Sequence, residues 1–502
     1  MAITVLPRAH ELDLSPGRLY IDGEWSEGEG GSAWTHLSPA TNEEVTTWAT
    51  AGAADVDRAV RAARRAFDEG PWPSMRARER MHLLQRLVGL IHENADELNR
   101  LQVLDNGMPL SMSSSYGASA GMAADRIDHH VGWIDKLTGE TFPVYSEGHP
   151  MQMLTLLEPI GVVAGILPWN APLMQSCGKI GPALAAGCTL VIKPSEYAPL
   201  TVIRLAELIE ELELPDGVFN LVLGDGPVTG EALVTHEGVD KINFTGSRAT
   251  GEHILAASGK GIRRVSLELG GKSPSIVFAD SDLERAAVTT MAHVSIGLSG
   301  QVCSAQTRAL VEREVYDEFV EIAARAGDRV RYGDPFEMAT TSAPLINAVQ
   351  LEKVMSYIER GGEEGGRLVI GGDRPAGELG DGNWVNPTIF ADVDRTMTIA
   401  REEIFGPVLS VIPIEGEEEA VRLANDSPYG LSAGIYTDNV ERAMRVARAL
   451  RAGTVGINDY DFFPNAPFGG YKASGLGREG GRHAMEAVME TKTVMVGLGE
   501  AS

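Results

Sequence analysis

Three cysteines occur in 502 residues, and one of them, Cys303, stands in S-G-Q-V-C-S-A (299–305) among small residues. A thiolate at such a position can attack an electrophilic carbonyl carbon. The plainer alternative is a buried structural thiol, because free cysteine packs like a small hydrophobe. Nothing near Cys303 in the chain pairs with it to decide the matter. The other two cysteines read as core: Cys188 opens an apolar strand and Cys177 lies in an apolar helical segment. A second group with chemistry is Glu268, inside the otherwise apolar V-S-L-E-L-G-G-K. Glutamate is almost never fully buried without a partner or a task. Burial there raises a carboxyl pKa and suits it to act as a general base, unless the side chain points outward at a sheet edge. Glu402 and Glu403 precede an apolar strand in E-E-I-F-G-P-V, with one of the two expected to face solvent.

These groups need a scaffold, and the hydrophobic pattern supplies one. L-Y-I-D-G-E-W (19–25) reads as two strands around a D-G turn, and two amphipathic helices follow over 53–67 and 76–92. From about residue 158 the rhythm changes. Apolar runs at 160–166, 188–193, 219–224, 242–246 and 264–269 alternate mostly with helical segments. Near-continuous apolar strands between helices predict a parallel sheet covered on both faces, a doubly wound α/β arrangement. A second α/β series begins at 275–279 and includes strands at R-A-L-V-E-R-E-V and 408–414 and a helix over 440–450. Cys303 falls in this second series, at the end of a helix-like run. The tail T-K-T-V-M-V-G-L (491–498) is a lone strand, of the kind that pairs with another element or subunit. The Gly-rich segment 359–367 reads as a surface loop.

In an open parallel sheet the ligand sits beyond the carboxyl ends of the strands. The segments there are L-P-W-N-A-P, K-P-S-E, G-D-G-P-V-T-G and F-T-G-S-R-A-T-G, none of them a G-x-G-x-x-G. The last sets Gly246, Ser247 and Gly251 at a helix start, a possible phosphate cradle, although glycine in such a turn also has purely backbone reasons. In K-P-S-E, Lys193 and Glu196 end a strand, where a carboxylate can accept both hydroxyls of a ribose. A proline turn with a solvated ion pair accounts for the same pattern.

Bulk composition excludes several function classes. Asp plus Glu number 70 against 43 Lys plus Arg, a formal charge of −27, which argues against a nucleic-acid surface or an anionic membrane as main partner. Three cysteines build no disulfide framework, so a reducing compartment is expected. The N-terminus carries no signal-peptide pattern and no run approaches a membrane span; cytoplasmic localisation is the expectation. No metal-ligand cluster is evident in the sequence.

Taken in order, P-W-N (168–170), K-P-S-E (193–196), F-T-G-S (244–247), L-E-L-G-G-K (267–272), G-Q-V-C (300–303), E-E-I-F-G-P-V (402–408) and P-F-G-G-Y-K-x-S-G-x-G-R-E (467–479) resemble the aldehyde dehydrogenase superfamily across nearly the whole chain. The resemblance implies Cys303 as nucleophile, Asn170 with the Cys303 backbone N–H as oxyanion donors, Glu268 as the base that activates water, and Lys179 as a lysine near the active site. For the cofactor it implies Lys193 and Glu196 at the adenosine ribose, Trp169 and Ser247 at the pyrophosphate, and Glu403 and Phe405 at the nicotinamide. It further implies Ser195, Gly226, Pro227, Phe244, Gly246, Gly251 and Leu269 as cofactor-binding residues. Glu196 would repel a ribose 2′-phosphate, so NAD is expected over NADP. Relatives that pass the acyl group to coenzyme A typically lack the glutamate matching Glu268, so water is the expected acceptor.

The implied architecture is a Rossmann-like cofactor domain (1–139 and 159–269), an α/β catalytic domain (270–479) and a small β extension for oligomerisation (140–158 and 480–502), giving a homodimer or homotetramer. Ala171 and Gly178 stand where related enzymes often carry large aromatics, which widens or reshapes the access tunnel. Phe462, Phe463 and Phe468 either wall its mouth or pack their own loop. No basic cluster for an acidic tail is evident, so the expected substrate is a bulky apolar aldehyde, aromatic or long-chain. The alternatives are a semialdehyde dehydrogenase, a cysteine hydrolase acting on esters, or a catalytically silent binding relative. The hydrolase leaves K-P-S-E and F-T-G-S unexplained, and the silent relative would have no reason to keep Cys303, Glu268 and Asn170 together.

Overall fold

Two parallel sheets dominate the computed structural model, which describes residues 12, 14–29, 31–145 and 150–498. The N-terminal stretch read above for a signal peptide and the ends of the outer domain ranges lie outside the described residues. In the first sheet the five apolar runs become strands Val162–Ile166, Thr189–Lys193, Phe219–Leu221, Lys241–Thr245 and Arg264–Glu268, all parallel. Their spatial order places Val162–Ile166 between Thr189–Lys193 and Lys241–Thr245. The chain therefore winds outward in both directions from that strand. The crevice beyond its carboxyl end, where the winding reverses, is the ligand position such sheets offer. The pair Leu19–Ile21 and Glu24–Ser26, turned at Asp22 and Gly23, extends one edge antiparallel.

The second sheet has seven strands, ordered Arg367–Ile370, Thr388–Ala391, Val408–Ile414, Arg308–Glu312, Pro274–Val277, Ser432–Tyr436 and Thr454–Ile457. All but the first run parallel. Its apolar strands read as continuous runs because both faces are covered. Leu310 and Ile412 belong to one buried cluster, and Ala309, Val311 and Val411 to the cluster on the opposite face.

The tail strand is Met489–Gly497, paired antiparallel along nine residues with Met151–Pro159, which also carries Thr141–Phe142. Two expectations are corrected. The Gly-rich segment is no loop over its first half: the helix Ala348–Glu363 runs through it. Gly361 there is buried, and a Cβ would stand 3.1 Å from both Ile399 and Phe390, so glycine permits close helix-to-sheet packing. Cys303 is not in a helix. The helix Leu283–Ser295 stops eight residues earlier, and the thiol sits in the turn that leads into Arg308–Glu312.

Candidate active site

The link between the sheets builds the site. Glu268 is the last residue of the edge-proximal strand Arg264–Glu268, and L-G-G-K-S carries the chain directly to Pro274 in the second sheet. This brings the carboxyl end of one sheet up to the loop ahead of Arg308–Glu312. One cavity of about 180 Å³ is lined by Pro168 and Trp169, Asn170, Gly246 and Ser247, Glu268, Cys303, Glu403 and Phe405. Residues from five of the seven motifs thus meet at one place.

The loop that carries Cys303 is held by buried hydrogen bonds. Gln301 is fully buried and donates to the Leu298 and Pro344 carbonyls at 2.8 and 3.0 Å, while its Oε1 accepts from the Ile346 N–H at 3.0 Å. Ser299 and Gly300 both adopt left-handed φ, 51° and 72°. At Gly300 a Cβ would lie 2.2 Å from the Gly406 carbonyl, so the turn that presents Cys303 requires glycine there. Asn170 donates one side-chain N–H to the Gln301 carbonyl at 2.9 Å. Asn106, whose amide bonds the Trp169 and Asn170 carbonyls, fixes the Asn170 backbone. The second Asn170 amide hydrogen is left for an oxygen in the cavity.

Glu268 is buried with both carboxyl oxygens lacking a hydrogen-bond partner. Burial raises its pKa well above the ordinary carboxyl value, and the nearby Glu479 raises it further; Lys179 and Arg478 oppose the shift. Lys179 is fully engaged, donating to Glu479 at 2.6 Å, Thr245 at 2.8 Å and Asn243 at 3.3 Å. It acts on Glu268 through its charge and by holding Glu479. The Cys303 thiol is pushed up to about 12, by burial first and by the Glu403 and Glu268 carboxyls second. Burial also takes Glu403 to about 7, while its Oε1 accepts from the Gly271 N–H at 3.1 Å. Glu402 is the solvent-facing neighbour and accepts from the Tyr357 hydroxyl.

The remaining predicted residues fall into two groups. Ser247 caps the eleven-residue helix Arg248–Ser258 by accepting from the Thr250 N–H, so the free N–H groups of that helix open on the crevice. Trp169 and Phe405 meet edge to face at 5.4 Å beside it. Lys193 and Glu196 stand 3.9 Å apart at the end of their strand, and Asp225, ahead of the exposed Gly226 and Pro227, adds a further negative charge near Lys193. Ser195 accepts from the Tyr197 N–H. Phe244 and Leu269, by contrast, are core side chains: Phe244 packs under Gly246 and Leu269 against Gly251. Neither presents its side chain to the crevice, and Gly251 itself is buried within the helix.

Gly178 does not widen a tunnel. The Arg126 guanidinium takes the vacant space, and a Cβ on Gly178 would sit 3.0 Å from Nη1. Arg126 shares a narrow chamber with His130, Phe462, Phe463 and Phe468, so the aromatic residues do line a wall. Sequence reasoning missed Arg126, because an arginine in an amphipathic helix reads as its solvated face. It also missed Glu479, Gln350 and Lys353, of which the last two line the same cavity as Cys303. Glu479 closes the 467–479 motif, and an acid in so glycine-rich a segment was the available signal. Among the described residues no group of His, Cys, Asp and Glu could hold a metal ion, and no helix is long and apolar enough to cross a membrane.

Comparison with known proteins agrees with this geometry. A sequence model of the aldehyde dehydrogenase family matches residues 25–494. The mitochondrial benzaldehyde dehydrogenase of Antirrhinum majus is 42% identical over 485 residues, 96% of this chain and 89% of that protein. The betaine aldehyde dehydrogenase of Bacillus subtilis is 43% identical over 478 residues, 95% of this chain and 96% of that one. Among solved structures, indole-3-acetaldehyde dehydrogenase of P. syringae in complex with NAD+ and IAA superimposes with a TM-score of 0.94 at 41% identity, covering 98% of this chain and 99% of that chain.

Proposed function

The chain belongs to the aldehyde dehydrogenase family, and from that premise we propose that it oxidises an aldehyde to the carboxylic acid with NAD, using Cys303, Glu268 and Asn170. The observation that carries this reading is the meeting of a thiol, an unpartnered carboxyl and a free amide N–H on one cavity at the switch point of a nucleotide-type sheet. The residues fit the cofactor. Lys193 and Glu196 suit a ribose, the Arg248–Ser258 helix start suits the pyrophosphate, and Glu403, Phe405 and Trp169 frame the space beside Cys303.

Cys303 gives up its proton to solvent and adds to the aldehyde carbon as the thiolate. The resulting alkoxide is stabilised by the second Asn170 amide hydrogen and the Cys303 backbone N–H. NAD held beside Cys303 by Glu403, Phe405 and Trp169 would supply the hydride acceptor, and Cys303 then carries the acyl group on sulfur. Glu268 then takes a proton from water, which attacks the thioester, and the thiol leaves with the acid formed. Reduced-cofactor formation across a panel of aromatic and aliphatic aldehydes tests the reading; a wild-type enzyme that binds NAD and oxidises none of them overturns it.

Glu196 sets cofactor choice. Its carboxylate stands where a 2′-phosphate would fall, so Glu196→Ser should shift the NADP-to-NAD ratio of kcat/KM toward NADP by about tenfold or more. Parallel titrations with both cofactors check this; an unchanged ratio removes Glu196 from the ribose site.

The body of the substrate is bulky and apolar, supported by Phe462 and Phe468, whose rings contact at 5.5 Å along one wall. The assembly is a homodimer or homotetramer. Met489–Gly497 is an edge strand with Met495, Val496 and the following Leu498 exposed, and Leu156 is exposed on its partner strand. Light scattering should give a multiple of the 53.7 kDa chain mass, and Met495→Lys should lower it; a monomeric wild type refutes the assembly.

A further inference from the structure

Arg126 is 8% exposed, yet its guanidinium has no ion pair and its Nε no hydrogen-bond partner among the described residues. The carboxylate that acts on it most strongly is Glu479, whose Oε1 already accepts from Lys179 at 2.6 Å. A buried cation in this state is costly unless something pairs with it. The chamber it lines offers nothing that does. His130 donates Nδ1–H to the Arg126 carbonyl at 2.6 Å, and burial lowers its pKa to about 3, so it is neutral and its Nε2 is left unpaired. Thr454 Oγ1, on the same wall, is also unpaired. Asp461, exposed at the rim, accepts from the Phe462 N–H at 2.7 Å.

Three segments of chain link the chamber's lining to the reacting centre. The helix Pro172–Ala186 leads from Asn170 to Gly178, whose missing side chain makes room for Arg126. Phe468 is followed by Gly469, where a Cβ would come 2.6 Å from Glu268 Oε1. Phe462 stacks edge-on against Tyr460, which stands beside Ser304, the neighbour of Cys303. An aldehyde seated on Cys303 with its body along Phe462 and Phe468 therefore directs its far end at Arg126. The chamber holds about 30 Å³ of free space, against the 10–15 Å³ or so that one water needs, which is room for a carboxylate.

We infer that Arg126 receives a carboxylate at the far end of the substrate, so that the preferred aldehydes are ω-carboxylated ones with an aromatic or extended chain body between the two groups. This rests on the aldehyde-oxidising reading above and replaces a wholly apolar substrate with one that is apolar in the middle and anionic at the end.

The test compares matched pairs: 4-formylbenzoate with 4-methylbenzaldehyde, and 6-oxohexanoate with hexanal. The readout is the acid-to-neutral ratio of kcat/KM for wild type, Arg126→Met, Arg126→Lys and Gly178→Leu. The wild type should favour the acid by about tenfold or more in at least one pair, since a charge-assisted pair replaces an unpaired buried cation. Arg126→Met should lower that ratio by about thirtyfold or more, Arg126→Lys should keep part of the preference, and Gly178→Leu should lower the ratio by displacing the guanidinium. NAD titration of each variant confirms that it is folded. A wild type that oxidises the neutral members equally well or better, or an Arg126→Met ratio equal to wild type, overturns the inference and leaves the aldehyde-oxidising reading standing. Oxidation of neither member of either pair, nor of any aldehyde in the wider panel, overturns both.

Discussion

Replacing Cys303 by alanine should abolish reduced-cofactor formation with every aldehyde, a loss on the order of 10⁴-fold or more, as for removal of other covalent nucleophiles. NAD should still bind. The contrast follows from where the two functions lie. The proposed adenosine and pyrophosphate positions are on strand ends of the first sheet and on the Arg248–Ser258 helix, whereas Cys303 comes from the turn ahead of Arg308–Glu312 in the second. Alanine keeps the backbone N–H at 303 and leaves in place the side-chain hydrogen bonds by which Ser299 and Gln301 anchor the loop. The loss is thus chemical. A variant that retained even about a hundredth of wild-type turnover would mean that hydride leaves a hydrated aldehyde directly, without a covalent adduct. Loss of NAD binding together with activity would instead place the thiol in the structure of the cofactor site.

How much of this was legible beforehand depends on the kind of signal. The first sheet could be read because its strands are buried on both faces and show as apolar runs such as Val162–Ile166 and Thr189–Lys193. Glu268 stood out for the complementary reason, an acid where every neighbour is apolar. The segment 359–367 misled because glycine count alone does not distinguish a turn from a helix packed closely on a sheet; the contacts of Gly361 with Phe390 and Ile399 join residues about 30 to 40 positions apart. Arg126 was invisible for a stronger reason. Its burial depends on the absence of a side chain at Gly178, and no local pattern records what a distant glycine leaves open. The same holds for Lys179 and Glu479, paired across 300 residues.

Glu268→Gln separates the two halves of the reaction. Glutamine keeps the size of the side chain but cannot take a proton from water, so the acyl group should form on Cys303 and then persist. Rapid mixing should show a burst approaching one reduced cofactor per active site, followed by a steady rate lowered by about 10²–10⁴-fold, the usual contribution of a general base. The pH profile carries the second signature. Glu268 must be ionised to act, and burial with Glu479 nearby raises its pKa. The wild-type steady rate should therefore fall with acidification at a pH clearly above the ordinary carboxyl range, and that limb should vanish in Glu268→Gln. Lys179→Met removes a charge that opposes the shift, so it should move the limb to higher pH. An acid limb that survives unchanged in Glu268→Gln would assign the water-activating base to another group. A variant with no burst would mean that Glu268 also takes the first proton from the Cys303 thiol, whose pKa burial and the neighbouring carboxyls raise.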